Sequence, residues 1–413
     1  MAGGTYNSRI SVVKMKKNLL LLLSFILIFQ SGCITEEAEN PPAKTLVADR
    51  TLLVYLAGDN NLWQYMDRNI AGIRAGMNSG EISGNTKVVV YYDTPYDVPR
   101  LTEFTPGRET LLKEYPEQNS ASGAILREVV EDMSFLARAR HYGLVLGSHG
   151  TAWIPSSAIG QLTRTLDKNS GVWPETRFFG EDVSVSPAGY MNIDELAGAI
   201  PDRQFDYILF DACYMGSVEV AYALRDKTGY IISSPAEEVA DGYPYERVLP
   251  ALLAQTPDLV SVCTGFYEYY AGHDDLRYHS ATVSLVRTAG LHRLWQVTDE
   301  LSRTAMEAES DVFAGMDIGN MQHFDRYKHH FMFDLKETVD CLAEKNLINM
   351  EQRSRFESAL AATVLYEAHT PYCFGEPIRV SCGLSGYIPV AGYAELNEHY
   401  NSMEWKCFAS GPQ

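Results

Sequence analysis

The strongest constraint on this chain is a set of short, almost wholly apolar runs separated by amphipathic stretches. Thr51 to Ala57 (TLLVYLA), Lys87 to Tyr92 (KVVVYY), Tyr142 to Gly147 (YGLVLG), Phe205 to Phe210 (FDYILF) and Tyr230 to Ser233 (YIIS) read as strands buried on both faces. A helical stretch follows Leu62, with Asp59 or Asn60 as its cap, and 122–140 shows helical spacing with Ile125, Val129, Met133 and Leu136 on one face. This alternation predicts an α/β fold, a mainly parallel sheet with helices on both faces. The stretches 97–104 and 109–115, joined by Thr105-Pro106-Gly107-Arg108, read as a hairpin. The second half, 245–370, reads as mostly helical, with Leu384 to Val390 as one further strand.

Composition excludes several function classes. With 413 residues and 46% apolar side chains the chain can bury one large core or two ordinary ones, so wholesale disorder is ruled out. Its 53 acidic against 34 basic residues, net −19, argue against nucleic acid as a partner, because phosphate binding rests on many Lys and Arg contacts. Seven cysteines are too few for a disulfide scaffold, and no CxxC pair points to zinc.

The N-terminus carries a targeting signal. Leu19 to Phe29 is an apolar run preceded by Lys14, Lys16 and Lys17; it is too short to span a bilayer but fits a secretory signal. Ser31-Gly32-Cys33 resembles a bacterial lipobox, with Gln30 where Leu is usual, so residues 1–32 are read as a lipoprotein signal peptide and Cys33 as the lipidated residue. The plainer alternative is a signal cut nearby with Cys33 a bystander. Met15 offers a more ordinary signal start than Met1. Residues 33–49, with two prolines and several acids, read as a tether. Acids just after the cysteine resemble the surface-export signal of Bacteroidetes lipoproteins, which implies a lipid-anchored protein of the cell envelope, at the outer membrane or cell surface. Residues 1–32 hold four basic and no acidic side chains, so without them the net charge goes from −19 to −23.

Two predicted strands end in reactive side chains. YGLVLG runs into Ser148-His149-Gly150, and FDYILF into Asp211-Ala212-Cys213. In open α/β sheets the working site lies beyond the carboxyl ends of the strands, so His149 and Cys213 can meet there. A nearby imidazole favours the thiolate and can protonate a leaving amine. The glycines beside His149 and a helix expected to start near Met215 suit an oxyanion site of backbone N–H groups. On strand-end position alone, a buried inert thiol and a structural histidine fit as well. The long irregular stretch from 150 to 190 is of a length that usually carries function.

At these residues the sequence resembles the clostripain family of cysteine peptidases, in the caspase-like clan. The likeness rests on LVYLAGDNNL (53–62), GLVLGSHGTAW (143–153), YMNIDELAGAI (190–200), FDYILFDACYMGSVEVAYALRD (205–226) and YIISSPAEEVADGYPY (230–245), in family order, and more loosely on LSGYIP (384–389). It implies a caspase-like three-layer sandwich with a catalytic core at 50–255 and a helix-rich C-terminal part, 256–413, packed on it. It further implies Cys213 as nucleophile, His149 as general base and acid, and the N–H groups of Gly150 and Cys213 as oxyanion donors. Substrates would be proteins or peptides with Arg or Lys at P1, held by Asp211 and Asp241. Read from the residues alone, Asp211 has a capping residue as its plainer alternative, and Asp241 is equally a turn residue. Asp59, Asn60 and Asn61 match a family motif near the cleft and are read here as helix caps. The resemblance also implies self-cleavage in the 150–190 loop, at Arg177 first, then Lys168 or Arg164. The chemistry needs no cofactor; calcium enters through the family, with no EF-hand-like loop to supply ligands.

Two further readings stay open: the same dyad with another P1 preference, and a catalytically silent surface lipoprotein that binds a partner. Of the remaining cysteines, Cys263 and Cys341 read as buried hydrophobes, Cys373 and Cys382 as a candidate disulfide, and Cys407 has no assigned role.

Overall fold

The computed structural model describes residues 47–409 except 83, 160–189, 310, 311, 314, 315 and 390. In chain order the described strands up to residue 369 are β1 (Ala48–Ala57), β2 (Thr86–Thr94), β3 (Asp97–Thr105), β4 (Arg108–Glu114), β5 (Ala139–Gly147), β6 (Phe205–Asp211), β7 (Thr228–Ser233), β8 (Thr282–Arg287), β9 (Phe333–Asp334) and β10 (Val364–His369). Nine of them form one sheet in the order β10-β8-β7-β6-β5-β1-β2-β3-β4. The central run from β2 through β1, β5 and β6 to β7 is parallel; β3 and β4 at one edge, and β8 and β10 at the other, are antiparallel.

The central strands are apolar throughout because both faces are covered. Leu52, Leu53, Val54, Tyr55 and Leu56 of β1 and Val88 to Tyr91 of β2 are all buried. Tyr55 lies opposite Tyr91 in register, and their rings stack at 4.6 Å, a cross-strand pair of the kind that pins register. Helices Trp63–Met77, Tyr245–Leu253 and Leu259–Ala271 pack in succession as one group. A second group runs from Gly123–Leu136 through Ile193–Ala199 and Val218–Ala223 to Leu291–Ala308 and Met350–Thr363, and β1 is touched from both groups. The expected α/β sandwich is thus present.

Several local expectations are corrected. The helix expected over 122–140 ends at Leu136, because β5 already begins at Ala139. Its buried face is Leu126, Val129, Val130 and Met133; Ile125 is only partly buried and Leu136 is exposed. The helix-rich part beyond residue 255 also contributes β8 and β10, which hydrogen-bond into the sheet of the first half. The strand expected at 384–390 shrinks to Ser385–Gly386, paired with β9. Cys373 and Cys382 are not bonded to each other; their thiols donate to the carbonyls of Glu237 (3.6 Å) and Leu384 (3.2 Å). Cys263 is buried and Cys341 half-buried. No described helix is long and apolar enough to cross a membrane.

Candidate active site

The sheet itself brings the site together. From β1 the chain first lays β2 on one side and later β5 on the other, so the β1–β5 boundary is a switch point where the connections diverge and leave a crevice. On the next pair, β5 and β6, Gly147 stands opposite Asp211. His149 and Cys213 each lie two residues beyond that registered pair, on strands about 4.8 Å apart. The two loops touch: a Cβ on Gly150 would stand 2.2 Å from the Cys213 carbonyl oxygen, so only glycine fits. An apolar cavity of about 80 Å³ opens beside them, lined among others by Ala57, Ser148, His149, Ala152 and Met215.

His149 is 7% exposed, and its Nε2 lies 2.8 Å from Asn61 Oδ1. An amide oxygen only accepts, so Nε2 carries the proton and Nδ1 keeps the basic lone pair. Asn61, read from the sequence as a cap, is the residue that orients the histidine. Asn60 does bind the Leu62 N–H (2.9 Å), just ahead of the helix, and donates to the Ala57 carbonyl (3.0 Å). The helix itself starts at Trp63 with no side-chain cap.

Cys213 is fully buried; its sulfur accepts the Glu238 N–H at 3.1 Å, a contact that favours the thiolate, and its S–H donates to the Glu238 carbonyl at 3.7 Å, a contact of the thiol. The turn after it is clamped to the segment that follows β7. Tyr214, at φ +64°, donates its N–H to the Ala236 carbonyl (2.9 Å), and Gly216 donates to the Ser234 carbonyl (2.7 Å). The helix expected near Met215 therefore begins only at Val218, with Ser217 Oγ accepting the Val220 N–H.

The two aspartates stand apart from each other in environment. Asp211 is fully buried at the end of β6 and accepts the Tyr245 hydroxyl at 2.8 Å. Asp241 is partly exposed; its backbone carbonyl accepts from Asn69 (2.7 Å), and its Oδ1 lies 3.4 Å from Arg68 Nη2. Asp59, Asp93, Glu237 and Glu238 are also buried, in the segments that end or follow β1, β2 and β7. Burial pushes the Tyr243 hydroxyl well above its ordinary range, helped by the nearby charge of Glu238 and Asp211. Glu237, Glu238 and Tyr214 carry no site role in the sequence reading, where two adjacent acids in an apolar segment after a strand are the available signal; for Asn61 the signal is the family motif near the cleft, outweighed by its reading as a cap.

Cys33, Arg164, Lys168 and Arg177 lie outside the described residues. Among the described residues no group of three or more His, Cys, Asp or Glu side chains is arranged to hold a metal. No step below runs through calcium.

A histidine and a thiol at adjoining carboxyl ends of a parallel sheet fit an α/β cysteine hydrolase. The chain belongs to the clostripain family of cysteine peptidases, whose model matches residues 54–383. Among solved structures it is similar to an inactive zymogen of a C11 protease from Parabacteroides distasonis, at 30% identity, covering 88% of this chain and 99% of that one, with a TM-score of 0.73. It is also similar to a secreted C11 cysteine protease from Bacteroides thetaiotaomicron in complex with an irreversible peptide inhibitor, at 26% identity, the same coverages and a TM-score of 0.70. A further structure of a secreted C11 protease from that organism, at 23% identity over 88% of this chain and 99% of that one and a TM-score of 0.73, shares the fold. No curated protein sequence matches the chain.

Proposed function

We propose that the chain is an exported, lipid-anchored endopeptidase that cuts after Arg or Lys with Cys213 as nucleophile and His149 as general base and acid. The observation that carries the reading is the registered placement of His149 and Cys213 with Gly150 packed on the Cys213 carbonyl. In the reaction the Cys213 thiol gives its proton to His149 Nδ1 and the sulfur attacks the scissile carbonyl carbon. The N–H groups of Gly150 and Cys213 receive the oxyanion. His149 then returns the proton to the leaving amine, and water, activated by the same imidazole, hydrolyses the thioester.

Basic P1 selection is supported by Asp211, by Asp241 and by the further buried carboxylates at this end of the sheet, which draw in cations. Self-cleavage at Arg177, or at Lys168 or Arg164, is supported by the related C11 protease solved as an inactive zymogen. Anchoring at the envelope through Cys33 is supported by the lipobox-like segment and by the secreted relatives. One observation favours a second reading with a different P1 preference: Asp241 already faces Arg68.

The test is a panel of fluorogenic peptides with Arg, Lys, Asp, Asn or Leu at P1, run with wild type and Cys213→Ala, with calcium and with a chelator. Thiol-dependent cleavage after Arg or Lys alone supports the first reading. Cleavage after Asn, Asp or Leu moves the choice to the second. Loss of rate in chelator is the sign of a calcium requirement. On a denaturing gel wild type should yield two fragments and Cys213→Ala a single chain; identical patterns end the self-cleavage proposal.

A further inference from the structure

The C-terminal half reaches back to the turn that carries Cys213. Its loop around residues 321–333 is organised by Asp325, which is 1% exposed. One Asp325 oxygen accepts the Tyr327 N–H (3.1 Å), and the other accepts the N–H groups of Phe331 (2.8 Å) and Met332 (2.9 Å). From this loop Arg326 extends both Nη2 and Nε to the two oxygens of the Glu237 carboxylate, at 2.6 and 3.2 Å, and its guanidinium lies 5.0 Å from the Phe374 ring centre. Such a fork holds a planar carboxylate in one orientation, which a lysine cannot do.

Glu237 is the junction. It also accepts the Tyr214 hydroxyl at 2.5 Å, and its neighbour Glu238 supplies the N–H on the Cys213 sulfur. Tyr214 directly follows Cys213 and holds a left-handed conformation that a non-glycine residue leaves unless its surroundings fix it. One buried carboxylate thus ties together the residue after the sulfur, the segment that donates to the sulfur, and a guanidinium 113 residues further along the chain from Cys213.

We propose that Arg326 is a positioning residue for Cys213: acting through Glu237, it fixes both the Tyr214 turn and the Glu238 amide that together present the sulfur. The inference rests on the reading of Cys213 as nucleophile. Without its guanidinium the Glu237 carboxylate takes up a proton or draws in water, since a buried charge does not stay unpaired. Either change weakens the Tyr214 bond and lets the turn relax.

The experiment compares full-length wild type, Arg326→Met and Arg326→Lys. It reads the pH midpoint of Cys213 alkylation by iodoacetamide, followed on the Cys213 peptide by mass spectrometry, and kcat and KM on an Arg-P1 peptide. Arg326→Met should raise the midpoint by about half a pH unit or more and lower kcat about tenfold, with KM within about twofold. Arg326→Lys, which keeps the charge and loses the fork, should fall between. A folded Arg326→Met with wild-type midpoint and kcat overturns the proposal. If Arg326→Met does not fold, Arg326→Lys decides: a raised midpoint supports the positioning role, and a wild-type midpoint overturns it. A wild type that is alkylated at Cys213 yet cleaves no peptide overturns the nucleophile reading, while the midpoint still decides for or against Arg326.

Discussion

Asn61 Oδ1 lies 2.8 Å from His149 Nε2, across the β1–β5 boundary where the sheet's connections diverge. The amide selects the tautomer with the lone pair on Nδ1 and holds the ring in plane. Asn61→Ala should therefore lower kcat by about 10- to 100-fold with little change in KM. Asn61→Asp places a carboxylate on the ring, which favours the imidazolium, so the acid limb of the kcat/KM profile should move to higher pH. An unchanged profile in Asn61→Asp would remove Asn61 from the site.

Gly150 marks the point where the two reactive loops meet. A methyl group there would press on the Cys213 carbonyl at 2.2 Å, and backbone cannot yield as a flexible side chain can. Gly150→Ala should cost about 1–3 kcal/mol of stability and abolish measurable turnover, read by urea denaturation and by the Arg-P1 peptide. Retained turnover would mean that the two loops separate freely enough to admit the methyl group.

Arg68 competes with the basic side chain of the proposed substrate for the Asp241 carboxylate. Their 3.4 Å pair is partly solvated, a class of ion pair worth about 0–1 kcal/mol. Arg68→Gln should accordingly lower KM for an Arg-P1 peptide by about two- to fivefold, and Asp241→Asn should raise it. Asp211→Asn should raise it too and also lower the melting temperature, because Asp211 is fully buried and accepts the Tyr245 hydroxyl. If both aspartate variants change KM equally and neither changes stability, the two carboxylates share one role.

Glu219, in the helix that follows the Cys213 turn, gives the fold a pH dependence. Burial pushes its carboxyl from 4.5 up to about 7, partly offset by the Tyr387 N–H at 2.9 Å. Between those values the folded chain holds a proton that the unfolded chain has lost. The stabilisation is complete below the unfolded value and declines as pH rises through the folded one, by about 3 kcal/mol in all. Glu219→Gln should flatten the dependence between about pH 5 and 7.5 and be the more stable protein at pH 8. Urea midpoints measured across that range check it, and parallel curves for the two proteins would refute it.

What could be read in the sequence was whatever burial writes locally. TLLVYLA, KVVVYY and FDYILF are continuous apolar runs because β1, β2 and β6 are covered on both faces. The His149 and Cys213 positions followed from where such runs end. β8 and β10 were missed: β10 is a half-buried antiparallel edge whose VLYEAH sequence blends into the helix before it. Asn61 reads as a cap because an Asp-Asn-Asn run before a helix fits that role, and nothing local says that a histidine 88 residues away will use it. Arg326 and Glu237, 89 residues apart, carry no shared pattern, since their pairing is decided only when β8 docks beside β7 and the later loop folds over it.

The β5–β6 ladder has a consequence for what a cut between residues 150 and 190 would produce. β1 to β5, with Asn61 and His149, would belong to one polypeptide, and β6 to β10, with Cys213, Glu237 and Arg326, to another. The two would stay joined by the unbroken ladder from Gly143–Tyr207 to Gly147–Asp211 and by the core beneath it. The mature enzyme would then be a heterodimer whose catalytic pair is divided between subunits, intact by sedimentation though split on a denaturing gel, and inactivated irreversibly by any treatment that lets the halves drift apart before they can re-register.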